Sequence, residues 1–196
     1  MTKVKICGLK DPLALEAALQ AGADYVGFVF AKSKRQISPQ EAKDLVRQVP
    51  SQIKKVGVFA SPSLDQIEAV LKEVELDFIQ IHGDFSNQHL AKLPLPVIRA
   101  YQIGKEMEEV GHSPAAYLLF DAPLAGSGQT FDWQKLDSKA VTKPFFIAGG
   151  LNVDNVLEAI EHFSPYAVDV SSGVETRGQK DPLKIKEFIE RVKYGL

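Results

Sequence analysis

Short runs of β-branched and aromatic residues alternate with longer stretches in which apolar residues return every three or four positions, from one end of the 196-residue chain to the other. The first pattern suits strands and the second amphipathic helices. Eight runs qualify as strands: VKIC (4–7), YVGFVF (25–30), KKVGVF (54–59), DFIQI (77–81), PVIRAY (96–101), AYLLF (116–120), PFFIA (144–148) and YAVDV (166–170). The clearest helical stretches are DPLALEAALQAG, SPQEAKDLVRQV, SPSLDQIEAVLKEV, NVDNVLEAIEHF and DPLKIKEFIERVK. In the first of them Asp11 can cap, Pro12 fits the opening turn and Gly22 can close the end. Stretches 102–115 and 122–143 carry little helical periodicity, so helix 5 is expected to be short or absent and helix 6 is poorly defined.

Eight βα units without a Pro/Gly-rich linker or a break in composition predict an α/β chain folded as one small (β/α)8 TIM barrel over residues 1–196. An open doubly wound sheet shares the same local pattern. A Rossmann domain, however, would place GxGxxG after its first strand, where this chain reads CGLKDP.

Barrels build their active sites at the C-terminal ends of the strands, so the residues at and just beyond each strand end carry the chemistry. Strand one ends in Cys7, and strand two is followed by AKSKR with Arg35. Strand four runs into His82 and Gly83, strand six into Asp121 and strand seven into Gly149 and Gly150. Strand eight contains Asp169 and continues through Ser171, Ser172 and Gly173. The AGGLN and SSGVE turns offer glycines, hydroxyls and exposed amides after strands seven and eight, where barrels often bind phosphate, and Asn152 is expected to cap the next helix. The loop AGSGQT lacks the GK[ST] ending of a nucleotide P-loop, although the glycine-rich 124–128 segment suits a lid. Residues two apart on a strand share a face, so Lys5 goes with Cys7 and Asp169 with Ser171. Strands one and eight are neighbours in a closed barrel, which predicts Lys5 beside Asp169 inside it and an ammonium favouring thiolate at Cys7. Taken singly, each of these residues also has a plain structural account: a small buried thiol, a turn-capping carboxylate, a rim histidine or a solvated charge run.

Lys and Arg number 23 against 25 Asp and Glu, a net charge of −2. No overall positive field is available for nucleic acid or an anionic membrane, so any anion must be held locally. There is no apolar run of about 18 residues and no secretory pattern, which predicts a soluble cytoplasmic protein. One cysteine excludes an internal disulfide, and four histidines, with only His82 at a strand end, are a poor basis for a metal site. Nothing in one chain distinguishes a monomer from a homodimer.

KICGLK, GADYVGFVFAKSKRQISP, KKVGVF, IQIHG, the strand-six FD with AGSGQTFDW downstream, FIAGGL, and AVDVSSGVE followed by GQKD run in order through essentially the whole chain. Together they resemble the phosphoribosylanthranilate isomerase family. The resemblance implies a (β/α)8 barrel that performs an Amadori rearrangement of a small phosphorylated aminosugar in tryptophan biosynthesis, without metal or organic cofactor. It also implies Cys7 as general base, Asp121 as general acid and Arg35 as ligand of the anthranilate side. His82 and Asp169 match substrate-site positions, and Gly149, Gly150, Ser171, Ser172 and Gly173 match the phosphate site. The loop reads AGSGQ where a GGSGK-like form is also familiar. The rival readings are another phosphosugar isomerase barrel, or a barrel that binds a phosphorylated metabolite without turning it over.

Overall fold

The computed structural model describes residues 1–103, 110–121 and 136–195. Its strands β1 (Lys3–Cys7), β2 (Tyr25–Val29), β3 (Lys54–Ala60), β4 (Phe78–His82), β5 (Val97–Gln102), β6 (Tyr117–Asp121), β7 (Phe145–Ala148) and β8 (Ala167–Val170) pair in sequence order. β8 returns to pair with β1, so the barrel is closed and the open-sheet alternative falls. Each strand starts and stops within one residue of the run that predicts it.

Strand periodicity divides the residues between two cores. Val4, Ile6, Val26, Phe28, Ile79, Ile81, Val168 and Val170 belong to the core between the barrel and its helices. The alternate residues fill the interior. At the N-terminal end Tyr25, Phe78, Tyr117, Phe146 and Tyr166 contact one another edge-on or tilted, with ring centroids 5.1–5.8 Å apart. The Tyr25 and Tyr166 hydroxyls share a 3.0 Å hydrogen bond. These rings close the bottom of the barrel, so polar side chains can gather only toward the other end.

The helices begin where their caps dictate. Asp11 accepts from the Ala14 amide at the start of α1 (Pro12–Ala21), which ends at Gly22 in the left-handed region (φ 86). Ser38 with Glu41 and Ser63 with Gln66 form capping boxes at α2 (Pro39–Val46) and α3 (Leu64–Glu73). A single turn, α4 (Asn87–Leu90), joins β4 to β5. After β7 comes α5 (Val156–Phe163), and Asp181 caps the last helix, α6 (Pro182–Tyr194), which packs on α1. One expected cap is displaced. Asn152 accepts from the amides of Asp154 and Asn155, closing a turn ahead of α5, and Asn155 takes the N-cap position. The expectations for helix 5 within 102–115 and helix 6 within 122–143 fall in part, and that for a lid at 124–128 wholly, on residues 104–109 and 122–135, outside the described residues.

Between β8 and α6 the chain adds a feature that periodicity does not announce. A 3-10 turn (Ser172–Val174) leads into a hairpin of β9 (Glu175–Thr176) and β10 (Gln179–Lys180). Its two-residue loop, Arg177 (φ 53) and Gly178 (φ 80), has both residues in the left-handed region, the geometry that lets strands of natural twist reverse tightly. The reversal brings Lys180 back beneath Ser171.

Candidate active site

A cavity of about 680 Å³ opens at the C-terminal ends of the strands. Cys7, Arg35, His82, Asp121, Gly149, Gly150, Asp169, Ser171 and Ser172 all line it. Of the residues that match the family's site positions only Gly173 does not, and its place in the structure is different. A Cβ on Gly173 would fall 1.8 Å from the Leu151 carbonyl oxygen, so glycine is what lets the β8 turn lie against the β7 turn.

At the centre is the buried lysine. Lys5 is fully buried, and its Nζ lies 2.9 Å from Asp169 Oδ2, as strand parity predicts. Cys7 comes next on the same face of β1. Across from them β2 presents Gly27, where a Cβ would sit 3.0 Å from Cys7 Sγ and 3.3 Å from Lys5 Cε. Glycine at this position leaves the volume that the lysine and the thiol occupy. Burial pulls the Lys5 pKa down, but Asp169 and Cys7 beside it outweigh burial and hold the ammonium charged above its usual range. Burial likewise dominates at Cys7, in the opposite chemical sense: it pushes the thiol up, and Lys5 offsets this only in part. Lys5 thus favours the thiolate, as expected, while desolvation of the sulfur is the larger effect and leaves the thiol raised.

Asp121, at the end of β6, is also raised, by burial first and by the Asp169 carboxylate second, to about 6 against 3.8 for an ordinary aspartate. A carboxyl near 6 can hold a proton to give away close to neutral pH. On β4, Gln80 and His82 share the interior face, and Gln80 Nε2 lies 2.7 Å from His82 Nε2. Burial, then Lys5 and Arg99, lower the His82 pKa to about 4. The imidazole is therefore neutral and its Nε2 accepts the amide N–H, which leaves the ring proton on Nδ1. Among the described residues, Gln80 Oε1 and Asp169 Oδ1 are buried at this site without a hydrogen-bond partner, two acceptors available to hydroxyl groups.

The turns that follow β7 and β8 complete the lining. Gly149 (φ 86) and Gly150 (φ 67) turn the chain out of β7 through left-handed backbone that a side chain would strain. Asn155 Nδ2 holds the Gly150 carbonyl at 3.0 Å. Ser171 Oγ donates to the Cys7 carbonyl at 3.1 Å, which ties the β8 turn to the strand carrying the thiol. Lys180 Nζ, nearly buried, donates to Ser171 O (2.8 Å) and Oγ (3.1 Å).

Arg35 is the residue whose surroundings differ most from expectation. Its guanidinium is not a solvated charge: Nε and Nη2 donate to the two oxygens of Glu175. The same carboxylate, with its side chain 6% exposed, pairs with Lys34 at 3.2 Å and Lys180 at 3.1 Å. Burial would raise the Glu175 pKa, but Arg35 and Lys180 outweigh it and hold it near 2. Gly8 (φ 79) makes room for this arrangement, since a Cβ there would meet Arg35 Cδ at 2.7 Å. Gln80, which lines the cavity, and Glu175 and Lys180, which contact the lining residues Arg35 and Ser171, are residues that the strand-end reading misses. For Gln80 the signal was present, a polar residue two before His82 inside an apolar strand. For Glu175 and Lys180 the only signal was charge just beyond strand eight.

The model of the N-(5'-phosphoribosyl)anthranilate (PRA) isomerase family matches residues 4–191. An N-(5'-phosphoribosyl)anthranilate isomerase of Streptococcus gordonii is 60% identical over 196 residues, the whole of both chains. Among solved structures, the phosphoribosyl anthranilate isomerase of Thermotoga maritima superposes with a TM-score of 0.91 at 38% identity, covering all of both chains. A phosphoribosyl anthranilate isomerase in complex with reduced 1-(o-carboxyphenylamino)-1-deoxyribulose 5-phosphate does so with a TM-score of 0.88 at 37% identity, again over both entire chains.

Proposed function

Since the chain belongs to the phosphoribosylanthranilate isomerase family, enzymes of tryptophan biosynthesis, we propose that its reaction is divided between Asp121 as general acid and Cys7 as general base. The reaction is the Amadori rearrangement of N-(5-phospho-β-D-ribosyl)anthranilate to 1-(2-carboxyphenylamino)-1-deoxy-D-ribulose 5-phosphate. The furanose opens when its ring oxygen receives a proton as the bond to C1 breaks. Asp121, held near 6 by burial, donates that proton and leaves an iminium at C1. The iminium acidifies C2–H, and Cys7 as thiolate removes that proton to give an enolamine, which tautomerises to the ketone.

In the free protein burial favours the Cys7 thiol, so its proton has to leave to solvent as the site is loaded, before the thiolate acts on C2. The iminium on one side and the Lys5 ammonium on the other both favour the anion there. The Gly149–Gly150 and Ser171–Gly173 turns bind the phosphate through amides and hydroxyls, and Arg35 takes the anthranilate carboxylate. His82 and Asp169 bind the sugar hydroxyls. Proton transfers account for every step, so the reaction as written calls on no cofactor. Residues 1–196 act as one catalytic domain in the cytoplasm; no helix among the described residues is long and apolar enough to cross a membrane.

The observation that carries this reading is a raised carboxyl and a buried thiol lining one cavity, with an ammonium beside the thiol. Freshly generated substrate is fluorescent, so its loss can be tracked with wild type, Cys7→Ala and Asp121→Asn. Fast loss is expected for wild type and near-background loss for both variants, each still binding the product analogue. Near-normal turnover by either variant would remove its residue from the mechanism.

A further inference from the structure

Three cations, Lys34, Arg35 and Lys180, surround the Glu175 carboxylate, and two of them, Lys34 and Arg35, line the cavity. An arginine presents five N–H groups in a flat fork. Glu175 occupies the side of the fork formed by Nε and Nη2. The end formed by Nη1 and the second Nη2 hydrogen is a separate pair of parallel donors, also matched to a carboxylate. A flexible arginine that must be frozen on binding gives up rotamer freedom, whereas one already clasped has lost it beforehand.

Glu175 is built to hold the clasp. Its pKa is held near 2, so it is ionised at neutral pH, and its side chain is nearly buried. Its backbone is also fixed: the Glu175 carbonyl accepts from Lys184 Nζ at 3.1 Å, and the β9–β10 hairpin pairs Lys180 with Glu175 itself.

We propose that Glu175 is the positioning residue that pre-orders the Arg35 fork for the carboxylate of the substrate's aromatic ring, and so sets selectivity for that carboxylate. The inference rests on the assignment of Arg35 to that carboxylate. Glu175 does not touch the reacting atoms; it acts through Arg35. Lys180 keeps two other acceptors, the carbonyl and hydroxyl of Ser171, so loss of the Glu175 charge leaves the phosphate turn in place. The amide introduced by Glu175→Gln can accept from one fork nitrogen but opposes N–H to N–H at the other, and the orientation is lost.

The test compares two ligands, reduced 1-(o-carboxyphenylamino)-1-deoxyribulose 5-phosphate and the same compound without its ring carboxylate, by calorimetric titration. Wild type, Arg35→Ala, Glu175→Gln and Glu175→Asp are measured, with inorganic phosphate as a third ligand. The carboxylated compound is expected to bind wild type about 10–100-fold tighter than its partner, the worth of a charge-assisted bidentate contact. Arg35→Ala abolishes that ratio, and Glu175→Gln lowers it by about tenfold, with phosphate and the carboxylate-free compound bound as in wild type. Glu175→Asp restores part of the ratio, and in turnover Glu175→Gln raises KM far more than it changes kcat. A wild-type ratio in Glu175→Gln beside a collapsed one in Arg35→Ala would overturn the role of Glu175 and leave that of Arg35 standing. So would tighter binding of the carboxylated compound to Glu175→Gln, which would make Glu175 a competitor for the fork. An unchanged ratio in Arg35→Ala would take down both assignments.

Discussion

Asp121, once ionised, has to share a largely dry site with Asp169, and the protein therefore folds more readily with Asp121 protonated. Its pKa is about 6 folded and 3.8 as an ordinary aspartate. Below 3.8 both states hold the proton and no penalty exists. Between 3.8 and 6 the unfolded chain releases it first, and stability declines; above 6 the whole penalty, about 3 kcal/mol, is present. Asp121→Asn keeps the shape without the charge. It is expected to lose turnover and to gain up to about 3 kcal/mol of stability at neutral pH. That gain should shrink to nothing as pH falls toward 3.8 in urea titrations; a gain independent of pH would mean that the carboxyl is not strained by its surroundings. Cys7 answers to the same physics. Thiolate absorbance in the free enzyme is expected to stay at background near neutral pH and to rise only in alkali. A strong signal at neutral pH would show that Lys5 outweighs burial.

At the scale of elements, the turns after the adjacent strands β7 and β8, proposed to bind phosphate, lie side by side, and Gly173 sets how closely they approach. Gly173→Ala would drive a methyl group into the Leu151 carbonyl, a backbone atom that cannot rotate away. About 3 kcal/mol of destabilisation is expected, read as a fall in Tm of roughly 6–12 °C; an unshifted melting curve would show that the turns can separate freely. The strands themselves were legible in the sequence, because a parallel sheet buried on both faces writes itself as short apolar runs. Parity then placed Lys5 opposite Asp169 without any long-range information. The β9–β10 hairpin was not legible, since it turns through Arg177 in a backbone region arginine rarely adopts and its Glu175 is bonded to Arg35, 140 residues away. The sign of the Cys7 shift was not legible either. A sequence shows that a lysine is near, but the strength of desolvation emerges only once the barrel has closed around the sulfur.

As a whole molecule the protein carries a net charge of −2, yet Lys32, Lys34 and Arg35 all stand at the cavity, so attraction for a triply charged anion is local. The aromatic floor matters on the same scale. With Tyr25, Phe78, Tyr117, Phe146 and Tyr166 sealing the far end, the barrel is a blind well rather than a tunnel. Whatever arrives must depart through the same doorway, and an outgoing molecule bars an incoming one. Product should therefore inhibit in a purely competitive pattern, raising the apparent KM without lowering the maximal rate. Steady-state rates at several product concentrations would show it, and a fall in the maximal rate would reveal that product also binds while substrate is seated.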